Sequence, residues 1–258
     1  MRIFITDDKI SDKVVTIDGS DALHLIRSLR ITRGEKITVC DMSRREYLCE
    51  AEQITADTVI ARVVSSRDSE NEPLYRATAY LALSKGERFE LAVQKSVELG
   101  VTELVPFESE RTIISSSDAA KKLARWRKIA SEAAKQCGRA IIPQVRDPIS
   151  YSGVVAELAD ASGLRFICYE GDGTKSLAEL LRGQTANDTA MRDISVPDRI
   201  SFVIGPEGGF SAREAEAARA ADIALCGLGK RILRCETAPM YVLSALSYQF
   251  ELIAPINK

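Results

Sequence analysis

Long apolar runs are missing from this chain. Nowhere do the ~18 or more consecutive apolar residues of a membrane-spanning helix occur. Histidine and tryptophan are scarce, with His24 and Trp126 the only examples. The six cysteines, Cys40, Cys49, Cys137, Cys168, Cys226 and Cys235, never stand as C-x2-C. With one histidine beside them, a structural zinc site is not expected. The N-terminal MRIFITDDKISDK lacks an apolar core and a cleavage site, so no signal peptide is expected and the cytosol is the expected location. A disulfide framework is not expected there, and the cysteines read as small, mostly buried apolar residues. A surplus of either charge is lacking too: 35 Lys and Arg against 37 Asp and Glu leave a formal net charge of -2. That excludes a globally basic nucleic-acid binder and leaves room for a local basic face.

What is present is an ordinary globular composition, 45% hydrophobic and 28% charged over 258 residues. It suits one large domain or two modest ones and excludes a disordered chain, a collagen-like fibre or a coiled-coil rod. The first 70 or so residues read as short strands (RIFI, VVTI, KITVCD, EYLCEAEQI, TVIARVVSS) with one helix from Asp21, stopped at Gly34. Such strands predict a small β-barrel. DSENEPL at 68–74 is polar, ends near proline, and marks the expected domain boundary. Strands and helices then alternate: RATAYLALS, a helix over 87–99, TELVPF, a long helix over 118–137, a short helix near 151–159, LRFICYE and a helix from Ser176. A polar loop is expected from Arg182 to Pro197. RISFVI, a helix from Ser211, IALCGL and a final helix from about Pro239 to Leu252 complete the chain. This order predicts an α/β domain with a mostly parallel sheet.

GPEGGF at 205–210 follows an apolar strand and precedes the S-x-x-E capping box of Ser211 and Glu214. In a parallel sheet that is the C-terminal edge of a strand, where ligands bind. Three glycines in five residues let the backbone approach a ligand closely. The Lys-Ser/Thr of a phosphate-cradling P-loop is missing. LGKRILRCETA at 228–238 leads into the last helix, with Glu236 and Thr237 near its N-cap and Pro239 in its first turn. Two glycine-bearing strand-end loops so close in sequence read as two walls of one pocket.

Between 111 and 139 eight basic residues stand against two acidic ones, and Lys121, Arg125, Lys128 and Lys135 share one helical face. A solvated face and an RNA surface explain this about equally. A second cluster, Arg27, Arg30, Arg33 and Lys36, favours RNA. His24 reads as a partly buried structural residue and Trp126 as a core anchor. KSVELGV at 95–101 falls at a helix end before a strand, which excludes a Rossmann fingerprint.

IGPEGGFS at 204–211, LGKRILRCETA at 228–238, QKSVELGVTELVPFESERT at 94–112, AAKQCGRAIIP at 133–143 and HLIRSLRITRGEKI at 24–37 together resemble the RsmE family, bacterial 16S rRNA uridine N3-methyltransferases of the SPOUT class. The resemblance spans nearly the whole chain in order. It departs at Cys235, commonly Thr, and Cys137, commonly Ser, and neither change removes a charge. It implies a PUA-like, RNA-holding β-barrel over 1–70 and a trefoil-knotted SPOUT α/β domain over 74–258. Periodicity gives no sign of a knot, since knots are nearly absent from folds.

The resemblance also implies S-adenosylmethionine as cofactor, with no metal. Its expected seat is Tyr169, Glu170 and Gly171; Ile204, Gly205, Pro206, Glu207, Gly208 and Gly209; Leu225, Leu228, Gly229, Arg231, Ile232 and Leu233; and Thr237. A homodimer through the knotted domain and 16S rRNA of the small ribosomal subunit are the expected partners, and no membrane. Methyl transfer to uridine N3 requires loss of its proton, and a guanidinium would stabilise the anion. Arg234 is the first candidate and Arg139 the second, with Glu236 orienting Arg234 or capping the last helix, and Glu207 positioning a neighbouring loop. No residue stands out as general base. Arg27, Arg30, Arg33, Arg111, Arg125, Lys128 and Lys135 are expected to hold RNA. Two other readings share these residues: a SPOUT enzyme acting on transfer RNA or 2′-hydroxyls, and a non-catalytic RNA-binding scaffold.

Overall fold

The computed structural model describes residues 2–5, 9–11, 13–182 and 196–253. The expected loop from Arg182 to Pro197 lies, apart from its ends, outside them. The chain forms two compact units, Met1–Glu72 with Ala134–Ile142, and Pro73–Ala133 with Pro143–Lys258.

In the first unit, β1 (Arg2–Phe4), β2 (Val14–Ile17), β3 (Lys36–Cys40), β4 (Arg45–Ile54) and β5 (Val59–Asp68) form one sheet in the order β1-β3-β4-β5-β2. β3, β4 and β5 make an antiparallel meander, and β1 joins β3 in parallel. Alternate residues such as Ile37, Val39, Ala51, Val59 and Ala61 are buried on one side of it. The helix α1 (Gly19–Leu23) runs into a π-helical turn, His24–Ser28. Ala22 and Leu25 take the inward positions, so His24 faces water and is not the partly buried residue expected.

The second unit alternates strand and helix: β6 (Arg76–Ala82), α2 (Glu87–Glu98), β7 (Glu103–Glu108), α3 (Ser116–Ala120), α4 (Leu123–Cys137), β8 (Gln144–Val145), β9 (Ile149–Ser150), α5 (Tyr151–Asp160), β10 (Leu164–Cys168), β11 (Lys175–Ser176), α6 (Leu177–Arg182), β12 (Arg199–Ile204), α7 (Ala212–Ala220), β13 (Ala224–Gly227) and α8 (Thr237–Ser247), which ends in a π-helical turn, Tyr248–Leu252. The last four residues of α4 belong to the first unit. Every strand pairing here is parallel, in the order β11-β13-β10-β12-β6-β7-β8, with β9 beside β7. Helical cover explains the near-continuous apolar runs such as RISFVI in β12. The long helix expected over 118–137 is two, α3 and α4, separated at Lys121 and Lys122. Trp126 is 3% exposed and packs on Phe89 with ring centroids 4.3 Å apart, a core anchor.

Ala134–Ile142 is held in the first unit by a buried ion pair. Arg139 Nη2 lies 2.7 Å from Glu72 Oε2, and both side chains are at most 3% exposed. The backbone N–H groups of Ala140 and Ile141 donate to Glu72 Oε1 at 2.8 and 3.1 Å. Asn71 Nδ2 donates to Gly138 O, and Lys135 pairs with Asp21. Removing one partner strands a buried charge, so Arg139→Ala should cost about 3–5 kcal/mol of stability. Urea unfolding checks this; a loss below ~1 kcal/mol would show that Glu72 is satisfied without the guanidinium.

Candidate active site

β10, β12 and β13 are neighbours in one parallel sheet, so the loops leaving their C-terminal ends emerge along one edge. With Arg88 from α2 and Arg111 from the turn after β7, these loops line a cavity of about 870 Å³. Of the residues expected around the cofactor, Tyr169, Glu170, Gly171, all six from Ile204 to Gly209, Leu228, Gly229, Arg231, Ile232 and Leu233 line it. Leu225 does not, being buried in the core, and neither does Thr237, which is exposed at the start of α8.

The GPEGGF loop is shaped by two glycines. Gly209 has φ +66°, a left-handed conformation that glycine adopts freely, and its N–H closes the turn onto Pro206 O at 2.9 Å. A Cβ at Gly205 would stand 2.9 Å from the Phe210 ring. That ring cannot readily yield, because it packs against Phe107 and Tyr151 with centroids 6.3 and 5.6 Å away. Ser211 and Glu214 then form the expected capping box of α7.

Polar contacts hold the walls. Glu207 accepts the Lys85 N–H and Arg88 Nη1, both at 3.3 Å, and so ties its loop to the start of α2. Arg111, expected on RNA, lies on the cavity wall, with Nη1 donating to Gly208 O at 2.8 Å. Lys230, Arg231 and Arg234 are exposed along the cavity, and among the described residues none has a carboxylate partner.

Glu236 takes the expected N-cap position of α8, but its side chain makes no cap bond and, among the described residues, none to Arg234. Its Oε2 accepts the Cys235 thiol at 3.3 Å. The N–H groups of Thr237 and Ala238 donate instead to the Arg234 carbonyl at 2.9 Å. Arg139 is also displaced from its expected place. It is absent from the cavity lining, and its guanidinium is spent on Glu72 in the first unit.

Burial, then the Glu236 contact, pushes the Cys235 thiol up to about 11. Burial, then Cys226 beside it, raises Cys168 as well. Both cavity thiols are therefore protonated at neutral pH and poor nucleophiles. Among the described residues no cluster of three or more His, Cys, Asp or Glu side chains could hold a metal ion, and no helix is long and apolar enough to cross a membrane.

The two basic regions differ. Along α3, α4 and the break between them, Lys121 pairs with Asp118, Arg125 with Glu90, Lys128 with Glu132 and Lys135 with Asp21. In the first unit, Arg27, Arg30, Arg33 and Lys36 are exposed, and among the described residues none has an ion-pair partner. Sequence reasoning missed Arg88, Ser109 and the second task of Glu214. The capping box shows only one carboxylate oxygen at work, while the other meets Ser109, 105 positions away in sequence.

Comparison with known proteins agrees with this layout. Residues 70–247 match the RNA methyltransferase domain family, and residues 17–64 match the RNA methyltransferase PUA domain. The chain is 33% identical over 240 residues to the ribosomal RNA small subunit methyltransferase E of Bacillus subtilis (strain 168), covering 92% of this chain and 91% of the relative. A crystal structure of a ribosomal RNA small subunit methyltransferase E from Neisseria gonorrhoeae bound to S-adenosyl methionine superimposes with TM-score 0.80 at 30% identity, covering 96% of this chain and 97% of that one. A putative methyltransferase from Legionella pneumophila, solved with bound SAM, gives TM-score 0.78 at 29% identity over 95% and 96% of the two chains. The chain belongs to the ribosomal RNA small subunit methyltransferase E family.

Proposed function

We propose that this chain transfers a methyl group from S-adenosylmethionine to N3 of a uridine in 16S rRNA of the small ribosomal subunit. The observation that carries the reading is the cavity of about 870 Å³ at the ends of β10, β12 and β13. Its size falls within the ~300–1,000 Å³ of small-molecule sites. Apolar Ile204, Leu228, Leu233 and Ala238 suit a purine, and the glycine-rich loops offer backbone N–H and C=O groups to its edge. An added Cβ at Gly209 or Gly229 would meet nothing within 4 Å, so both positions leave open space.

When bound, S-adenosylmethionine supplies an electrophilic methyl group on a sulfonium. The chain's part is positioning and electrostatics. Arg234, on the cavity wall and without a carboxylate partner among the described residues, would stabilise the uridine anion left when the N3 proton departs. Glu207 keeps Arg88 occupied, and the protonated thiols of Cys168 and Cys235 favour direct displacement over attack by a cysteine. The general base is not assigned.

The reading includes RNA held by the exposed cations of the first unit and of the cavity rim, a cytoplasmic location, a trefoil knot and a homodimer. In support of the knot, the last strand β13 lies inside the sheet between β10 and β11. In support of the dimer, Tyr241, Tyr248 and Leu252 are 43%, 59% and 74% exposed on α8 and the turn that ends it.

Labelled S-adenosylmethionine and small ribosomal subunits from cells lacking the modification test the reaction. Label is expected in N3-methyluridine. Label in another nucleoside overturns the position, and transfer to transfer RNA alone overturns the substrate. Failure to bind the cofactor by calorimetry leaves the scaffold reading.

Arg234→Ala should lower the single-turnover rate roughly 100-fold or more while cofactor affinity changes far less. Equal rates for variant and parent would refute the role. Replacing Arg27, Arg30 and Arg33 with alanine should weaken RNA binding and flatten its salt dependence, by roughly 0.7–0.9 in log-log slope for each phosphate no longer neutralised. Arg125→Ala with Lys128→Ala should do so less, because those cations already sit in ion pairs. A steeper loss from the helix pair than from the first-unit cluster would reverse the assignment.

A further inference from the structure

Glu214 does more than cap α7. A capping box needs one carboxylate oxygen, and here Oε2 supplies it, accepting the Ser211 N–H at 2.9 Å. The other oxygen, Oε1, accepts the Ser109 hydroxyl at 2.8 Å and the Glu110 N–H at 2.9 Å. Ser211 Oγ donates back to Glu110 Oε2 at 2.8 Å, and Tyr151 OH donates to the Glu214 carbonyl at 2.7 Å. Ser109, Ser211 and Glu214 are 5%, 7% and 4% exposed.

Burying a carboxylate is unfavourable unless its oxygens are satisfied, so a fold that needed only a cap would leave it at the surface. The burial joins the turn after β7 to the loop after β12. That turn carries Arg111, whose side chain lies along Gly208 and reaches the cavity.

We propose that Glu214, together with Ser109, is a positioning residue for methyl transfer, acting on the cavity through Arg111. The proposal rests on the methyltransferase reading above and assigns a role inside it. Glu214 is not among the residues that line the cavity. Its carboxylate sets where the Arg111 guanidinium stands, and an error of about 1 Å in such placement costs on the order of 100-fold in rate.

The test is a double-variant cycle on the full chain. Single-turnover transfer to small ribosomal subunits is measured at saturating S-adenosylmethionine, with cofactor Kd by calorimetry and the thermal midpoint recorded for each variant. Glu214→Gln turns one acceptor into a donor facing donors, and Ser109→Ala removes one donor and leaves the cap intact. Each is expected to slow transfer by about tenfold or more, with cofactor Kd changed less than about threefold. Glu214→Gln combined with Arg111→Ala is expected to be no slower than Arg111→Ala alone. If Glu214→Gln does not fold, the same cycle is run with Ser109→Ala.

Losses that multiply in the double variant overturn the proposal. So does an unchanged rate in the single variants, or a rate loss accounted for entirely by cofactor Kd. A parent enzyme that transfers no methyl group to any RNA overturns the methyltransferase reading, and this proposal with it. An active parent with multiplying losses removes only the role of Glu214.

Discussion

The register of three parallel strands sets Cys168 level with Cys226 and Ile167 level with Val203. The cavity of the second unit depends on that alignment. Parallel pairing sends the outgoing chain of β10, β12 and β13 to one edge, so segments far apart in sequence begin within a few ångströms of the same line. A slip of one residue would exchange side chains of different size between two packed faces, Phe166 with Ile167 and Phe202 with Val203, which close packing does not tolerate. The same side-chain packing that stabilises both faces of the sheet therefore fixes where the glycine loops start. The loops themselves need little internal stability, because Glu207, Glu214 and Arg111 lace them to their neighbours.

Much of this was legible because it is local. Apolar runs marked the strands, Ser211 and Glu214 marked the start of α7, and glycine density marked the loop that lines the cavity. What escaped depends on partners chosen over long separations. Arg139 in AAKQCGRAIIP has the sequence surroundings of a site residue, and nothing near it reveals that Glu72 will bury it. His24 is outward because Ala22 and Leu25 turn in across a π-helical turn, an irregularity that ordinary helical spacing does not encode. Glu236 fits a cap by type, but the Arg234 carbonyl reaches the waiting N–H groups first.

Charge shows the same limit. By count, the helical region between 111 and 139 is the most basic part of the chain. By partner, it is among the most compensated, since Lys121, Arg125, Lys128 and Lys135 each face a carboxylate. Exposed pairs of this kind contribute little to stability. Their larger effect is to lower the local field, whereas the cations at 27, 30, 33 and 36 and those at 230, 231 and 234 have no carboxylate partner among the described residues to lower theirs.

The first unit is discontinuous, and this bears on how the protein emerges from its own synthesis. Its sheet is complete once Asp68 has been made, yet Arg139, the buried ion-pair partner of Glu72, follows only 67 positions later. Translation at ~5–20 residues per second places several seconds between the two. During that interval β6, α2, β7, α3 and α4 are made before the guanidinium follows. Completion of the first unit is thus a late clasp on the assembly line, and a fragment cut at residue 72 would lack Ala134–Ile142 and every bond that this segment makes to Glu72.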